Sequence, residues 1–186
     1  MPKLRPRSLM VPAGVTIALI LSSCGESRVS QCNRLAEVVN QTQGFMQEFE
    51  AEIQSFSNNA AAVQNIADIK DAATQYTEAV NKVVTSLDGL AGDLKTTDLS
   101  DESLVMFRDD YVGVVQGFSG ALTQASGAME LVKTVESEAA LPARIEESQE
   151  KTMEAVNSIE ELSVTESSII NDVNSYCGVG PQESEE

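Results

Sequence analysis

Apolar residues recur at alternating steps of three and four along most of this chain, and that spacing fixes the class of fold open to it. A side chain every 3.5 residues stays on one face of an α-helix, whereas a strand would need a step of two. One such run goes Cys32, Leu35, Val39, Thr42, Met46, Phe49, Ile53, Phe56, with Val38 and Phe45 widening the stripe. A second runs from Ala62 through Ile66, Ile69, Ala73, Tyr76, Val80, Val83, Leu87 and Leu90 to Leu94, and a third from Leu104 through Phe107, Tyr111, Val114 and Phe118 to Val135. Continuing the first phase would carry Lys70 into the seam, so the spacing predicts a turn near Ser57-Asn58-Asn59. Asp88-Gly89 and Gly92-Asp93 are expected to fray or kink the end of the second helix. Ser100 suits the N-cap of the third, with Asp101 and Glu102 complementing the dipole of its first turn. Pro142 fits the first turn of a fourth helix, whose inner side is expected to carry Ile145, Thr152, Val156, Ile159, Leu162, Ile169, Val173 and Tyr176, a weaker stripe in its first half. Gly178 ends it. No β pattern of useful length is present, and the expectation is an all-α chain.

Ahead of these runs, Leu21-Ser22-Ser23-Cys24 follows a basic start (Lys3, Arg5, Arg7) and an apolar stretch from Leu9 to Leu21 broken by Pro12 and Gly14. The layout resembles the signal peptide and lipobox of bacterial lipoproteins. That resemblance implies cleavage before Cys24 and a diacylglyceryl thioether on its sulfur. It also implies an extracytoplasmic protein of the cell envelope, on the outer membrane or the periplasmic face of the inner membrane. Two acyl chains on one cysteine hold a bilayer firmly where a single chain binds marginally. The partner so implied is membrane lipid, reached through Cys24. On this reading residues 1–23 are the signal peptide, 24–29 a lipidated tether, 30–177 a helical domain and 178–186 a disordered acidic tail.

With Cys24 carrying lipid, Cys32 and Cys177 are what remains of the three cysteines. An oxidising compartment favours their pairing, which would tie the start of the folded region to its end. A disulfide needs Cα atoms within about 7 Å, whereas helices of about 28 residues run roughly 40 Å. An even number of antiparallel helices brings both cysteines to one end, and an odd number parts them. The expected fold is therefore an antiparallel up-down-up-down four-helix bundle with heptad-like seams, closed by Cys32–Cys177.

The charge balance excludes several functions. Twelve basic residues face twenty-nine acidic ones, for a formal charge of −17, and there is no His and no Trp. Such a chain lacks the basic groups that neutralise phosphates, so nucleic acid is not an expected partner. Without His, neither a Ser/His/Asp nor a Cys/His hydrolase centre can be built, nor the Glu-x-x-His pairs of a ferritin-type di-metal bundle. Neither a cofactor nor a metal is expected, and no enzyme activity. Glu146, Glu150 and Glu154 stack on one helix face beside Glu147 and could hold Ca²⁺ weakly. The plainer account is a solvated face with Glu147 and Lys151 paired.

Two features bear on a ligand-binding alternative. Glu166 falls on an apolar stripe between Leu162 and Ile169. Buried there, it would need a partner such as Arg34, Arg108 or Lys82, and at the stripe's edge its carboxylate would reach water. The middle of the third helix holds Gly113, Gly117, Gly120 and Gly127, each costing about 1 kcal/mol relative to Ala. The plain account is close packing of a neighbouring helix at Gly113-x-x-x-Gly117; the sharper one is a hinge, or space for a ligand at Gly113, Gly117 and Gly120 opposite Glu166. Tyr76 and Tyr111 sit on seams and are expected in the core with each hydroxyl near a polar group.

The stretch Leu99-Ser100-Asp101-Glu102-Ser103-Leu104, with Phe107 and Tyr111-Val112 after it, resembles a helix-start motif of uncharacterised helical lipoproteins of bacteria, cyanobacteria among them. The resemblance covers part of one helix and brings no activity with it. The expected function is that of a non-catalytic, lipid-anchored extracytoplasmic module, structural or binding an envelope protein. The alternatives are a ligand-binding or sensory helical bundle, or weak divalent-cation binding by surface carboxylates.

Overall fold

The computed structural model describes residues 26–61 and 63–178 and is helical, with no strand among them. Cys24, the signal segment and residues 179–186 lie outside the described residues, as do the seam position Ala62 and the side chains of Met46 and Phe49. Five helices follow in order: α1 Arg28–Val39, α2 Thr42–Ala61, α3 Ile66–Thr96, α4 Glu102–Lys133 and α5 Leu141–Cys177.

The expected first helix is thus two. It breaks at Asn40 and Gln41, where the Thr42 hydroxyl donates to the Val39 carbonyl. The turn expected at Ser57-Asn58-Asn59 does not form, and α2 continues to Ala61. The next start belongs to Asn65, whose side-chain oxygen accepts the N–H groups of Ala67 and Asp68 while Asp68 accepts from Gln64 N–H and the Asn65 amide. These bonds satisfy donors that every helix start leaves open. Asp88-Gly89 and Gly92-Asp93 do not end α3 early, and it runs on to Thr96. At α4 the cap is Asp101 in place of Ser100, with its carboxylate accepting from Ser103 and Leu104 N–H. Ser100 is engaged elsewhere: its N–H donates to Gln31 Oε1 and its hydroxyl accepts from Gln31 Nε2. Pro142 stands in the first turn of α5, and Gly178 ends that helix in the left-handed conformation at φ 77°.

Packing follows the seams closely in α3 and α4. Val80, Val83, Leu87, Leu90 and Leu94 are buried on α3, and Leu104, Tyr111, Val114, Ala121 and Val132 on α4. α4 lies between α3 and α5 and buries a second set, Val112, Val115, Ser119 and Ser126. Its buried hydroxyls are satisfied, Ser119 by Asp88 at 2.8 Å and Ser126 by Asn81 at 3.3 Å, as burial of polar groups requires. α5 departs from its expected stripe in the first half. Ser148 and Ala155 are its buried residues, while Val156 is 38% exposed.

α1 packs on α3, α4 and α5 together, whereas α2 packs on α3. Cys32 and Leu35 of α1 belong to one buried cluster with Leu90, Leu94, Leu104 and Val115. Farther along, Phe56 of α2 meets Tyr76 of α3, with ring centroids 5.3 Å apart. The core is therefore continuous at the α1 end, and α3, α4 and α5 form the layer that extends beyond it.

Candidate functional site

The described structure has a locked end and a hollow middle. At the locked end Cys32 and Cys177 form a disulfide, with Cα atoms 6.0 Å apart. The preceding residue, Tyr176, donates its hydroxyl to the Asp101 carboxylate, stands edge-on to Phe107 at 5.8 Å, and has the Arg28 guanidinium 5.1 Å from its ring centroid. Arg34 pairs with Glu26 and donates to the Asp98 carbonyl. Gln31, 3% exposed, clasps Ser100 and Asp101 across the chain. Asp101 is held below its ordinary pKa chiefly by the Leu104 N–H, then by the Tyr176 hydroxyl and Ser103 N–H, with the Arg28 charge adding to these. Each bond favours the ionised carboxylate.

The hollow middle is organised by Tyr111 on α4 and Glu166 on α5. Tyr111 is 3% exposed, and its hydroxyl donates to Glu166 Oε1 at 2.9 Å. Burial first, then the charge of Glu166 and the hydrogen bond to it, push the Tyr111 pKa well above its ordinary value. The phenol thus stays protonated and is the donor of the pair. Two cavities open on either side of this pair and share Thr42, Tyr111 and Glu166. One, of about 300 Å³, is walled by Val83, Leu87, Val115, Phe118, Leu122 and Ile159. The other, of about 500 Å³, is walled by Leu35, Val39, Phe107, Ile169, Ile170 and Val173. Thr42 is the first residue of α2, so the cavities lie where α1 ends and the chain steps across to α2.

The expected ligand region is distributed differently. A Cβ built on Gly117 would stand 2.7 Å from Leu162 Cδ2, whereas at Gly113, Gly120 and Gly127 it would meet nothing within 4 Å. Close approach of a neighbouring helix therefore accounts for Gly117 alone. Gly117 and Gly120 border a shallow depression of about 430 Å³ with Gln124, Glu161, Leu162 and Thr165, and Glu166 borders the other two cavities instead. Glu166 also takes a phenol as its partner in place of an arginine, since Arg34 is engaged as above and Arg108 bonds Asp109 and the Thr97 carbonyl. Tyr111 matches the expectation of a buried ring with a bonded hydroxyl. Tyr76 is half-buried against Phe56, and burial raises its pKa.

On the acidic face of α5, Glu147 pairs with Arg144 at 2.8 Å in place of Lys151, and Glu154 accepts from Gln124 at 3.0 Å. Among the described residues no group of three His, Cys, Asp or Glu side chains is arranged to hold a metal ion, and no helix is long and apolar enough to cross a membrane. What the sequence did not single out is the lining contributed by Thr42, Phe118, Leu122 and Ser163. Phe118 and Thr42 stood on seams as ordinary core positions, and Leu122 and Ser163 carried no signal of their own. Compared with protein-family models, with curated protein sequences and with solved structures, the chain matches none of them.

Proposed function

We propose that this chain is a non-catalytic, lipid-anchored module of the cell envelope, held to membrane lipid through Cys24 and presenting its far end to an envelope protein. The observation that carries the reading is where the tying contacts gather. Glu26 and Ser27, the first described residues after the lipobox, are bonded into the locked end, Glu26 to Arg34 and Ser30, and Ser27 to the Ser30 N–H. A rigid base within a few residues of an acyl anchor holds the rest of the molecule at a set distance from the bilayer. Mass spectrometry of the protein taken from membranes tests it. The expected product starts at Cys24 and carries a diacylglycerol; a chain that retains residues 1–23 with Cys24 unmodified overturns the anchor. A pull-down from solubilised membranes that yields only monodisperse monomer would remove the partner role and leave the anchor standing.

For the arrangement of the helices, we infer that α1 and α2 are two segments of one broken rod, giving an up-down-up-down bundle despite five helices. Leu35 shares a cluster with Leu90 and Leu94, Thr42 borders a cavity with Val83 and Leu87, and Phe56 meets Tyr76. Residue numbers rise on one rod as they fall on α3, which is the pattern of antiparallel neighbours. Spin labels at Ser57 and Gln75 are expected to lie nearer each other than labels at Ser57 and Lys95; the reverse order sinks the inference.

A second reading, a ligand-binding or sensory module, is favoured by the two cavities that meet at Tyr111 and Glu166. The smaller is largely apolar with few polar groups, the usual form of small-molecule sites, and the larger adds Asn40 and Asn174 to its wall. Binding of a small apolar compound that Ser163→Phe blocks would support it, and a protein that takes up none would end it.

A further inference from the structure

We propose that the slot around Glu166 takes a small organic cation, a protonated amine on an apolar body, with the ammonium group on the Glu166 carboxylate and the body among the aliphatic side chains of α3, α4 and α5. The proposal rests on the ligand-binding reading above and specifies the ligand's charge and shape.

Three observations carry it. The first is the bonding of Glu166. Among the described residues it takes one hydrogen bond, from the Tyr111 hydroxyl to Oε1 and none at Oε2, and it borders both cavities. A carboxylate beside apolar walls gains more from a cation than one in open water, because the local dielectric screens the pair less.

The second is charge complementarity. No Lys or Arg stands among the described residues lining either cavity. α2, whose first residue Thr42 lines both, contains no basic residue along its whole length from Thr42 to Ala61. The chain as a whole carries a formal charge of −17. An anion would meet an unopposed carboxylate there, and a neutral ligand would leave the carboxylate without a counter-charge.

The third is the wall. Phe107 borders one cavity and Phe118 the other, with Tyr111 common to both, so each cavity that Glu166 borders has aromatic side chains in its lining. Aromatic faces attract ammonium groups. Around them Val83, Leu87, Val115 and Ile159 offer only hydrocarbon.

The test compares three compounds that share one ring and differ in charge: cyclohexylmethylammonium, cyclohexylmethanol and cyclohexanecarboxylate. Each is titrated by calorimetry into the full chain held in lipid nanodiscs, with protein-free nanodiscs as the reference. The expected order places the ammonium at least about tenfold tighter than the alcohol, with the carboxylate weakest, in keeping with a charge-assisted hydrogen bond. Glu166→Gln keeps an acceptor for the Tyr111 hydroxyl and is expected to bring ammonium and alcohol within about threefold of each other. Ser163→Phe, at an exposed position bordering the smaller cavity, is expected to weaken all three while circular dichroism shows the helices intact. Equal binding of the three compounds, or a preference for the carboxylate, overturns the cation and leaves the ligand-binding reading in place. Failure of all three to bind overturns both. A preference for the ammonium that persists in Glu166→Gln assigns the selectivity to the acidic surface and overturns the role of Glu166.

Discussion

Tyr176 donates its hydroxyl to Asp101 across 75 residues of sequence, at 2.9 Å from Oδ2 and 3.0 Å from Oδ1. The contact joins the last turn of α5 to the cap of α4, one residue before the disulfide at Cys177. Asp101 thereby does two things with one carboxylate: it accepts the Ser103 and Leu104 N–H groups and it fixes the end of another helix. Losing its charge weakens both at once.

A pH dependence follows from that. The Asp101 carboxyl is held below its ordinary value of 3.8 in the folded protein. Its contribution to stability is therefore fully present above that value and disappears as pH falls through the folded pKa. A series of thermal melts from neutral to strongly acidic pH is expected to show a loss setting in below about pH 4. Asp101→Asn retains a side-chain acceptor for the cap but has nothing to titrate, so its curve should be flatter than wild type over the same range. Identical slopes for the two proteins would show that Asp101 takes no part.

Cleaving the disulfide tests how much the locked end relies on it. Cys32 and Cys177 are 145 residues apart in sequence, and closing so long a loop in the unfolded chain sets a ceiling of roughly 5 kcal/mol on the stabilisation. The double substitution Cys32→Ser with Cys177→Ser is expected to lower stability by about 2–5 kcal/mol in chemical denaturation. Hydrogen exchange should rise first in α1, a helix of 12 residues, which is too short to persist alone. Exchange that rises evenly across α3, α4 and α5 would mean that α1 is not the element the bond holds.

The glycines of α4 make a sharper comparison. Gly113 and Gly120 have open space where a Cβ would stand, so Ala at either is expected to stabilise by about 0.5–1 kcal/mol through helix propensity alone. At Gly117 the new methyl would meet Leu162 Cδ2 at 2.7 Å. The same gain is offset there by the need to displace a packed side chain, and Gly117→Ala should fall below the other two in melting temperature. Equal stabilisation at all three positions would show that Leu162 yields freely.

These comparisons also show what the residue pattern could reveal. The seams of α3 and α4 were readable because those helices bury wide, continuous stripes, so Val80, Leu94 and Leu104 announce themselves by spacing. The break at Asn40 and Gln41 was not, since Val39 and Thr42 on either side of it keep the three-four step. Ser100 was a plausible cap by residue type, but Gln31 of α1 engages it, a contact 69 residues away in sequence that no local rule contains. In α5 the buried Ser148 and Ala155 are small, and small residues carry little hydrophobic signal. Glu166 stood out as an acid on an apolar stripe, and Tyr111 as a polar ring on a seam. Their pairing needed the packing of α4 against α5, which a one-dimensional pattern does not supply.

Alkaline titration examines that pair directly. Tyr111 is pushed above the ordinary value of 10.0, with burial the leading cause and the Glu166 charge and hydrogen bond following. Because the folded protein favours the protonated phenol, the associated stability is fully present below about pH 10 and declines as pH rises toward the folded pKa. Tyrosinate absorbance should accordingly show components delayed beyond pH 10, one from Tyr111 and one from Tyr76, whose burial acts in the same direction. Tyr111→Phe is expected to remove the latest component and, by leaving Glu166 without its donor, to cost about 0.5–1.5 kcal/mol. Glu166→Gln separates the causes: it deletes the charge but leaves the ring buried, so the delay should shorten without vanishing. Complete loss of the delay in Glu166→Gln would reverse the ranking and make the carboxylate, not the apolar surroundings, the chief determinant of the Tyr111 proton.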